Sequence, residues 1–305
     1  MRLINFIDRQ CPLCGSGDAT LKQKSKSDVE QLSDKEIFEA WRGFRKHNFY
    51  FDFYQCCDCK LLYCKRYFSD DSLTLLYSKM EDNLRGASEV QSEKTQRGYV
   101  ESVSQHEPIK GRWLDVGADV GHSSDHLGSK GSQVDAIEPN RTVWPQLQRR
   151  LRGGKIVATL SELGDQDVYD GVLLIHVLDH LTDPLQYFKD LAPHLERESV
   201  VSVVVHNYHS VLRRLLRHGW PPFCLQHPQI FTEVTLLRFF KEIGCENAFV
   251  DPTTNVFTIG DFLSDGFSAI GLSKISSFAR KAQIGNLRVR LGNIQGVGLR
   301  LSGNA

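Results

Sequence analysis

Two pairs of cysteines near the start of the chain have the spacing of metal ligands. Cys11-x-x-Cys14 and Cys56-x-x-Cys59 are separated by 41 residues. Each pair points two sulfurs at one ion, and four thiolates complete the tetrahedral shell that Zn²⁺ accepts readily. Because such a shell has no open position, we expect a structural zinc ion and no chemistry at this site.

The other nearby cysteines and the long gap leave alternatives open. Cys57 is an alternative ligand, Cys64 is expected to be a strand residue, and buried reduced thiols without metal are the competing interpretation of the whole group. The gap is longer than is usual for a zinc ribbon. Ser33 and Glu36 match a capping box, which predicts a helix to about Phe44 that accounts for the extra length.

The centre of the chain has a pattern typical of nucleotide binding. In RWLDVGADVGHSSDHLGSKG, an apolar strand at Trp113–Val116 breaks at glycines and continues as a helix near His122–Leu127. Such a turn offers backbone amides and a helix N-terminus to a polar ligand. A second strand, in SQVDAIEP, ends in Glu138, whose carboxylate is suited to accept hydrogen bonds from ribose hydroxyls.

The spacing of the glycines distinguishes between the nucleotide cofactors that such a turn could bind. A dinucleotide fingerprint GxGxxG beginning at Gly117 requires glycine at 119 and 122, where the chain has Asp119 and His122. A GxGxG turn fits better, since Gly117 and Gly121 both match. Asp119 tolerates left-handed backbone better than most residues, so we expect the turn to survive without its middle glycine.

These segments resemble the class I S-adenosylmethionine-dependent methyltransferases. LDVGADVG is similar to that family's LDxGxGxG loop, IEP to the acidic end of its second strand, and Asp179-His180 stands where many members have Glu-His. The resemblance implies a Rossmann-like, doubly wound α/β fold and S-adenosylmethionine as cofactor. The residues that it places at the cofactor are Asp115, Gly117, Ala118, Asp119, Gly121, Glu138 and His176.

A narrower resemblance concerns the flanking segments. CPLCG, QCCDCKLLY, LYSKM and HPQIFTEVTLLRFFKEIGC are similar to a subgroup, the sugar C-methyltransferase-like proteins, that carries a zinc ribbon before the catalytic domain. The likeness extends over about residues 9–250. It implies a small acceptor, such as a sugar, a nucleotide sugar or a related metabolite of polysaccharide or secondary-metabolite biosynthesis. Asp119 also leaves open a catalytically inactive binding protein on the same fold.

The alternation of apolar runs and helical stretches predicts a parallel sheet with helices on both faces. We divide the chain into a zinc-ribbon module (1–80), a methyltransferase domain (81–250) and a C-terminal extension (251–305). Helices are predicted from Pro184 to about Leu195 and from Thr232 to Ile243, the latter with Val234, Leu237 and Phe240 toward the sheet. The predicted strands lie near 112–116, 133–137, 155–158, 170–176 and 199–205, and the resemblance implies two more at Ala248–Val250 and Val256–Ile259.

Histidines supply the candidate catalytic groups. Transfer of a methyl group to a hydroxyl, or to a carbon beside a carbonyl, requires removal of a proton, and histidine suits this at neutral pH. Seven of the eleven histidines lie between residues 176 and 227. His180, after the fourth strand, and His227, in RHGWPPFCLQHPQIF, are the first candidates, with purely structural roles as the alternative. Lesser candidates for the acceptor pocket or the cofactor are His206, Asn207, Tyr208, His209, Tyr77 and Tyr99.

Composition and charge restrict the partners. Hydrophobic residues make up 41% and charged residues 24%, and the 37 basic residues equal the 37 acidic ones. Without a net basic charge, nucleic acid is disfavoured as a partner, and an RNA methyltransferase is the secondary hypothesis. The arginines of VLRRLLRHGW form a predicted basic helix face or simply a solvated one. With no membrane-spanning run or signal sequence, we expect a cytoplasmic protein; the oligomeric state is not indicated.

Overall fold

The computed structural model describes residues 2–41, 49–78, 89–258, 286–290 and 292–300. In chain order the strands are β1 (Phe6–Asp8), β2 (Ala19–Gln23), β3 (Phe53–Cys56), β4 (Leu62–Cys64), β5 (Arg66–Phe68), β6 (Arg112–Val116), β7 (Gln133–Ile137), β8 (Ile156–Val157), β9 (Tyr169–Ile175), β10 (Leu195–His206), β11 (Gln229–Ile230), β12 (Cys245–Pro252), β13 (Asn255–Thr258), β14 (Asn286–Val289) and β15 (Asn293–Arg300). The α-helices are α1 (Asp34–Trp41), α2 (Asp70–Ser78), α3 (Glu89–His106), α4 (His122–Ser129), α5 (Trp144–Leu151), α6 (Pro184–Leu191), α7 (Val211–Leu216) and α8 (Glu233–Glu242).

The main sheet has seven strands in the order β12-β15-β10-β9-β6-β7-β8. The five from β10 to β8 are parallel, as the sequence predicts, whereas β15 runs antiparallel to both β10 and β12. This is the predicted Rossmann-like α/β fold, with the antiparallel β15 second from one edge. Because parallel strands end at one edge, the residues that follow β6, β7, β9 and β10 meet there.

Helices cover both faces of the sheet, because alternate strand residues point to opposite sides. On one face, Leu114 of β6 belongs to a buried cluster with Phe188 of α6 and Phe239 of α8. On the other face, Trp113 packs in a cluster that includes Leu127 of α4 and residues of α3 and α5. The four cysteines of the N-terminal pairs extend the first cluster, so the small module packs against the sheet.

The prediction for the buried face of α8 was correct for Phe240 and wrong for Val234 and Leu237. Val234 is 68% exposed and Leu237 is 40% exposed, whereas Leu236, Phe239 and Phe240 are buried. The helix carries two apolar stripes at helical spacing, and Phe240 lies within reach of both. The stripe with Phe239 is buried since two adjacent aromatic rings remove more apolar area from water.

The predicted helix starts are confirmed. Ser33 and Glu36 form the capping box, with the Ser33 backbone N–H donating to Glu36 Oε2 at 2.8 Å and the Glu36 N–H donating to Ser33 Oγ at 3.3 Å. The predicted end of α1 near Phe44 lies outside the described residues. Pro184 starts α6, which ends at Leu191 and continues as a 3₁₀ turn, Ala192–His194.

The end of the chain joins the main sheet in a way that the sequence did not predict. The strand predicted at Ala248–Val250 is part of β12, and the one predicted at Val256–Ile259 is β13, described to Thr258. However, β13 pairs with β14 in a separate two-stranded sheet, and β15 inserts between β10 and β12. The domain division at residue 250 remains a prediction, and β12 crosses that position.

The N-terminal module is tied to the rest of the chain by a shared sheet. Strands β2, β3 and β4 are joined by β11, which comes from the segment just before α8. Arg9 strengthens this junction, since its guanidinium donates to Thr182 O at 2.5 Å and to Gln229 Oε1 at 3.1 Å. Among the helices of the described ranges, none has the length and apolar character needed to cross a membrane.

Candidate functional site

The four cysteines predicted as metal ligands come together. The sulfurs of Cys11, Cys14, Cys56 and Cys59 all lie within 4.8 Å of one another. Cys11 Sγ is 3.4 Å from Cys59 Sγ, and Cys14 Sγ is 3.5 Å from Cys56 Sγ. Four sulfurs at about 2.3 Å from one ion would lie roughly 3.8 Å apart, so a zinc ion fits with a small outward movement.

The electrostatics of this group also suit a cation. The hydrogen bond from the Cys11 thiol lowers the pKa of Cys59 to about 5, so one thiolate is present at neutral pH. Thiolate, and not thiol, is the zinc ligand. Cys57, the alternative ligand, does not belong to the group of four, and Cys64 is buried in β4 as expected. The donor set therefore indicates a structural zinc site.

The glycine turn lies between β6 and α4 and needs its glycines for two reasons. Gly117 has φ +70° and Gly121 has φ +85°, values that other residues adopt only with strain. In addition, a Cβ atom on Gly117 would lie 2.5 Å from Val177 Cγ2, and one on Gly121 would lie 2.7 Å from Leu147 Cδ1. The turn thus packs directly against the segment that follows β9.

Most of the turn's amides are already used within the protein. The N–H groups of Gly117 and Ala118 donate to Ile137 O at 2.8 and 3.4 Å, and that of Gly121 donates to Ala118 O at 2.8 Å. This differs from the expectation that these amides bind the ligand. The reason is that the turn closes onto the end of β7, where Ile137 O accepts its first two amides.

Glu138 holds the turn from the neighbouring strand end. Its Oε2 accepts the Asp119 N–H at 2.8 Å and its Oε1 accepts the Asn140 N–H at 2.7 Å. Burial raises the pKa of Glu138, and these two amides oppose the increase. Each carboxylate oxygen retains a further lone pair. Asp119 has φ +49°, so the substituted turn does adopt the left-handed conformation.

Asp115 fastens the start of α4 to β6. The side chain is buried, and its Oδ2 accepts hydrogen bonds from Ser123 Oγ and Ser124 Oγ, both at 2.6 Å. Burial raises the pKa of Asp115 to about 6, against the effect of the two hydroxyls. The sequence places Asp115 at the cofactor; the structure shows it acting on the helix that borders the turn.

His176 directly follows β9 and lies close to residues from distant parts of the chain. It has φ +53°, and its Nε2 is 3.4 Å from Asn293 Nδ2 of β15. The Tyr99 hydroxyl accepts from Asn293 Nδ2 and from Asn255 Nδ2, both at 3.3 Å. Burial lowers the pKa of His176 to about 3, so the imidazole is neutral at physiological pH.

The segments after β9 and β10 bring four histidines and an aspartate together; we call His176, Asp179, His180, His206 and His227 the histidine cluster. Neighbouring ring centroids, from His176 to His206, His206 to His227 and His227 to His180, are 4.6, 4.8 and 4.5 Å apart. Asp179 is fully buried, and its Oδ2 is 2.5 Å from His206 Nδ1. Burial opposes its ionisation, but His206 holds the pKa of Asp179 well below its usual range.

The two predicted catalytic histidines contact each other. His180 Nε2 and His227 Nε2 are 3.1 Å apart. His227 Nδ1 lies 2.7 Å from Pro222 O and 3.4 Å from Cys224 Sγ, and His180 Nδ1 lies 3.3 Å from the Tyr77 hydroxyl. Burial and the neighbouring His227 keep the pKa of His180 well below its ordinary value.

Several expectations for this edge need revision. Of the group His206 to His209, His206 joins the histidine cluster, whereas His209 is exposed and Tyr208 accepts a hydrogen bond from Arg213 at 2.6 Å. The role of Asp179 as the buried centre of the cluster was missed. Its pairing with His180 in the sequence was the available signal. The sequence contained no signal for Asn293, because its strand, β15, is distant in the chain from the histidines.

Two of the four apolar residues in α7 face solvent beside its arginines, and the basic or simply solvated helix face stays a prediction. In α7, Val211 is 68% exposed and Leu215 is 73% exposed, so they do not form a buried stripe. Leu212 and Leu216 pack against the N-terminal aromatic cluster instead. The helix has only six residues, too few for the periodic pattern to determine which face is buried.

The architecture and the site define a class. A glycine turn after the first parallel strand, an acidic residue after the second and one antiparallel strand next to the edge strand are features of class I S-adenosylmethionine-dependent methyltransferases. The sequence model of a methyltransferase domain family matches residues 88–248, more than half of the chain. The chain therefore belongs to that family, and it is an S-adenosylmethionine-dependent methyltransferase. No curated protein matches it.

Solved structures with the same fold are distant in sequence. An S-adenosylmethionine-dependent methyltransferase from Archaeoglobus fulgidus is 12% identical, with a TM-score of 0.47 over 68% of this chain and 94% of that one. Magnesium protoporphyrin IX methyltransferase from Synechocystis is 15% identical, with a TM-score of 0.45 over 69% of this chain and 84% of that one. 1,6-Didemethyltoxoflavin-N1-methyltransferase from Burkholderia thailandensis is 17% identical, with a TM-score of 0.45 over 70% of this chain and 82% of that one.

Proposed function

We propose that this methyltransferase acts on a small acceptor with a nucleophilic oxygen or an acidic carbon, such as a sugar, a nucleotide sugar or a related metabolite. The observation that carries the proposal is the histidine cluster at the carboxyl edge of the sheet, beside the glycine turn. Val177, between two of its histidines, packs on Gly117, so the cluster adjoins the predicted methyl-donor crevice. The sugar C-methyltransferase-like resemblance supports the acceptor class.

The donor's place follows from the turn and Glu138. S-Adenosylmethionine supplies an electrophilic methyl group on a positively charged sulfur. We assign its ribose to the Glu138 carboxylate, because that side chain is held by two amides and retains acceptor capacity. Gly117, Ala118, Asp119 and Gly121 form the wall of the crevice, and Asp115 supports that wall from behind. His176 borders the opposite side.

We place the acceptor beside the histidine cluster. We propose that His180 and His227 are the catalytic pair that activates the acceptor, because their Nε2 atoms lie 3.1 Å apart. Activation there requires either a lone pair that accepts a proton or a Lewis acid that lowers the acceptor's pKa. Burial keeps the pKa of His180 well below its ordinary value, so its imidazole is the neutral member of the pair and the candidate proton acceptor. Burial opposes the charge on His227, but Cys224 and Asp179 raise the pKa of His227 to about 9.

Calorimetric titration with S-adenosylhomocysteine tests the donor site. Glu138→Ala removes both the ribose contact and the amide acceptor of the turn, so we expect affinity to fall at least about tenfold, or roughly 1.4 kcal/mol. Glu196→Ala is the matched control, since Glu196 is an exposed carboxylate on β10. Equal affinities of both variants and the unmodified protein would remove the assignment of Glu138.

Mass spectrometry tests the acceptor class. Sugars, nucleotide sugars and phenolic metabolites are incubated with the protein and the donor, and products heavier by one methylene unit are sought. We expect His180→Gln and His227→Gln to keep donor affinity while losing turnover at least about a hundredfold, the usual contribution of a group that moves a proton. Turnover that survives both substitutions contradicts their catalytic assignment, and methylation of RNA alone contradicts the acceptor class.

A further inference from the structure

We propose that Asp179, His180 and His227 bind a divalent transition-metal ion, distinct from the zinc of the four cysteines. One ligand atom from each of the three lies within 4.8 Å of the others. They come from two segments, the turn after β9 and the loop before β11. The site is built from two imidazoles and one carboxylate, a donor set that suits Zn²⁺, Mn²⁺ or Fe²⁺.

The spacing of the two nitrogens matches that of ligands on one ion. Two imidazole nitrogens, each about 2.0–2.1 Å from a tetrahedral metal, lie about 3.3 Å apart. His180 Nε2 and His227 Nε2 are 3.1 Å apart. An ion therefore requires only a small separation of the two rings.

The contacts of the outer ring nitrogens favour the tautomer that a metal needs. His227 Nδ1 is 2.7 Å from Pro222 O, and a carbonyl only accepts, so Nδ1 carries a proton. In the neutral imidazole, which is the form that binds metal, Nε2 then carries the lone pair. His180 Nδ1 is 3.3 Å from the Tyr77 hydroxyl, which can accept in the same way. A ligating histidine typically donates its other ring N–H to a carbonyl or similar acceptor.

Asp179 supplies the charge and an oxygen that lacks a protein partner. The residue is fully buried, and Oδ2 contacts His206 Nδ1 at 2.5 Å. Among the residues that the structure describes, Oδ1 has no hydrogen-bond partner. A buried carboxylate oxygen in that state is costly, and a cation beside it removes the cost. Histidine binds a metal ion in its neutral form, so Asp179 supplies the negative charge that complements a divalent ion.

A second grouping, His176 with Asp179 and His206, has similar spacing. We assign the ion to the first group because His206 already occupies Oδ2 of Asp179, the arrangement of an outer partner that orients a ligand. The competing arrangement without metal is a hydrogen-bonded chain from the Tyr77 hydroxyl through His180 and His227 to Pro222 O. In that chain His180 carries its proton on Nε2.

Metal binding gives the catalytic pair a specific role, and this consequence rests on the proposed function. Three protein ligands leave coordination positions open. An acceptor oxygen bound there would have a lowered pKa and a fixed position beside the donor crevice. Acceptors with two neighbouring oxygens are then favoured over those with one, since both can bind the same ion. This narrows the acceptor class to vicinal diols, hydroxyketones and similar chelating groups.

Metal analysis of the full-length protein is the first test. After exposure to Mn²⁺ or Zn²⁺ and removal of excess, we expect two equivalents of metal per chain. His180→Gln and His227→Gln are each expected to retain one equivalent. His209→Gln is the matched control, because His209 is exposed and outside the cluster, and it is expected to retain two. One equivalent in the unmodified protein and in all variants overturns the proposal.

Cobalt spectroscopy separates this site from the cysteines and detects misfolding. Co²⁺ bound by thiolates shows intense sulfur-to-metal charge transfer, whereas a nitrogen and oxygen site shows only weak visible bands. We expect the weak bands to disappear in His227→Gln while the charge-transfer bands remain. Remaining charge transfer shows that the variant has folded. Weak bands that persist in both His180→Gln and His227→Gln place the second ion elsewhere.

The outcomes distinguish the metal site from the proposed function. If no second metal binds but His180→Gln abolishes turnover with donor affinity intact, the metal proposal fails and the histidines act directly on the proton. If the second metal binds but no sugar-like acceptor is methylated, the metal site stands and the acceptor class fails. Metal content is measured without donor or acceptor, so neither result depends on the other.

Discussion

The contact between Gly117 and Val177 allows a quantitative test of how the turn is built. Replacing Gly117 with alanine puts a side chain at φ +70°, which costs roughly 1–2 kcal/mol for a residue other than glycine. The new Cβ would also lie 2.5 Å from Val177 Cγ2, and overpacking of this kind costs about 1–3 kcal/mol. We therefore expect Gly117→Ala to lower the free energy of unfolding by about 2–5 kcal/mol.

A matched substitution and a double variant separate the two contributions. Gly15 has nearly the same φ, +72°, with no atom within 4 Å of an added Cβ, so Gly15→Ala should cost only the backbone strain. In Val177→Ala, the nearest remaining side-chain atom is the Cβ, 3.9 Å from the new methyl. The double variant Gly117→Ala/Val177→Ala should recover about 1–3 kcal/mol relative to the sum of the single changes.

Urea unfolding measures these free energies, and titration with S-adenosylhomocysteine measures the crevice. We expect Gly117→Ala to weaken binding, Val177→Ala to restore part of it, and Gly15→Ala to leave it unchanged. The reasoning is refuted if Gly117→Ala is no more destabilising than Gly15→Ala, or if the double-mutant coupling is zero. Either result means that Val177 does not touch the turn.

Two further predictions concern the cysteines and Asp115. Cys11→Ser should lose the zinc equivalent measured by elemental analysis, whereas Cys57→Ser should keep it, because only the first belongs to the four-sulfur group; equal zinc content in both would contradict the ligand set. The pKa of Asp115, raised by burial from 3.8 to about 6, means that the folded state binds more protons than the unfolded state between those values. This group therefore lowers stability by about 2–3 kcal/mol as pH rises from 4 to 6. Asp115→Asn should flatten that part of the pH profile of unfolding, and an unchanged slope would show that the pKa is not raised.

Local patterns were sufficient where a motif is short and its residues act together. The two cysteine pairs, the glycine turn with Glu138 and the alternation of strands and helices each depend on neighbours within a few dozen residues. The four-sulfur group, the glycine turn joined to Glu138 and the parallel strands therefore all appear in the structure. Asp119 illustrates this, since it adopts the left-handed conformation expected at the position of the middle glycine.

What only the tertiary structure decided depends on residues that are distant in the chain. Two apolar stripes of α8 satisfy helical spacing equally well, and packing area selected the one with Phe239. Strand β15 enters the sheet between β10 and β12 because an unpaired strand edge requires a partner, a need that no local pattern reveals. The joining of His180 to His227, and of both to a buried Asp179, likewise follows from folding two separate segments onto one edge. The sequence determines which side chains are present, but the fold determines the distances that bring the histidines into one site.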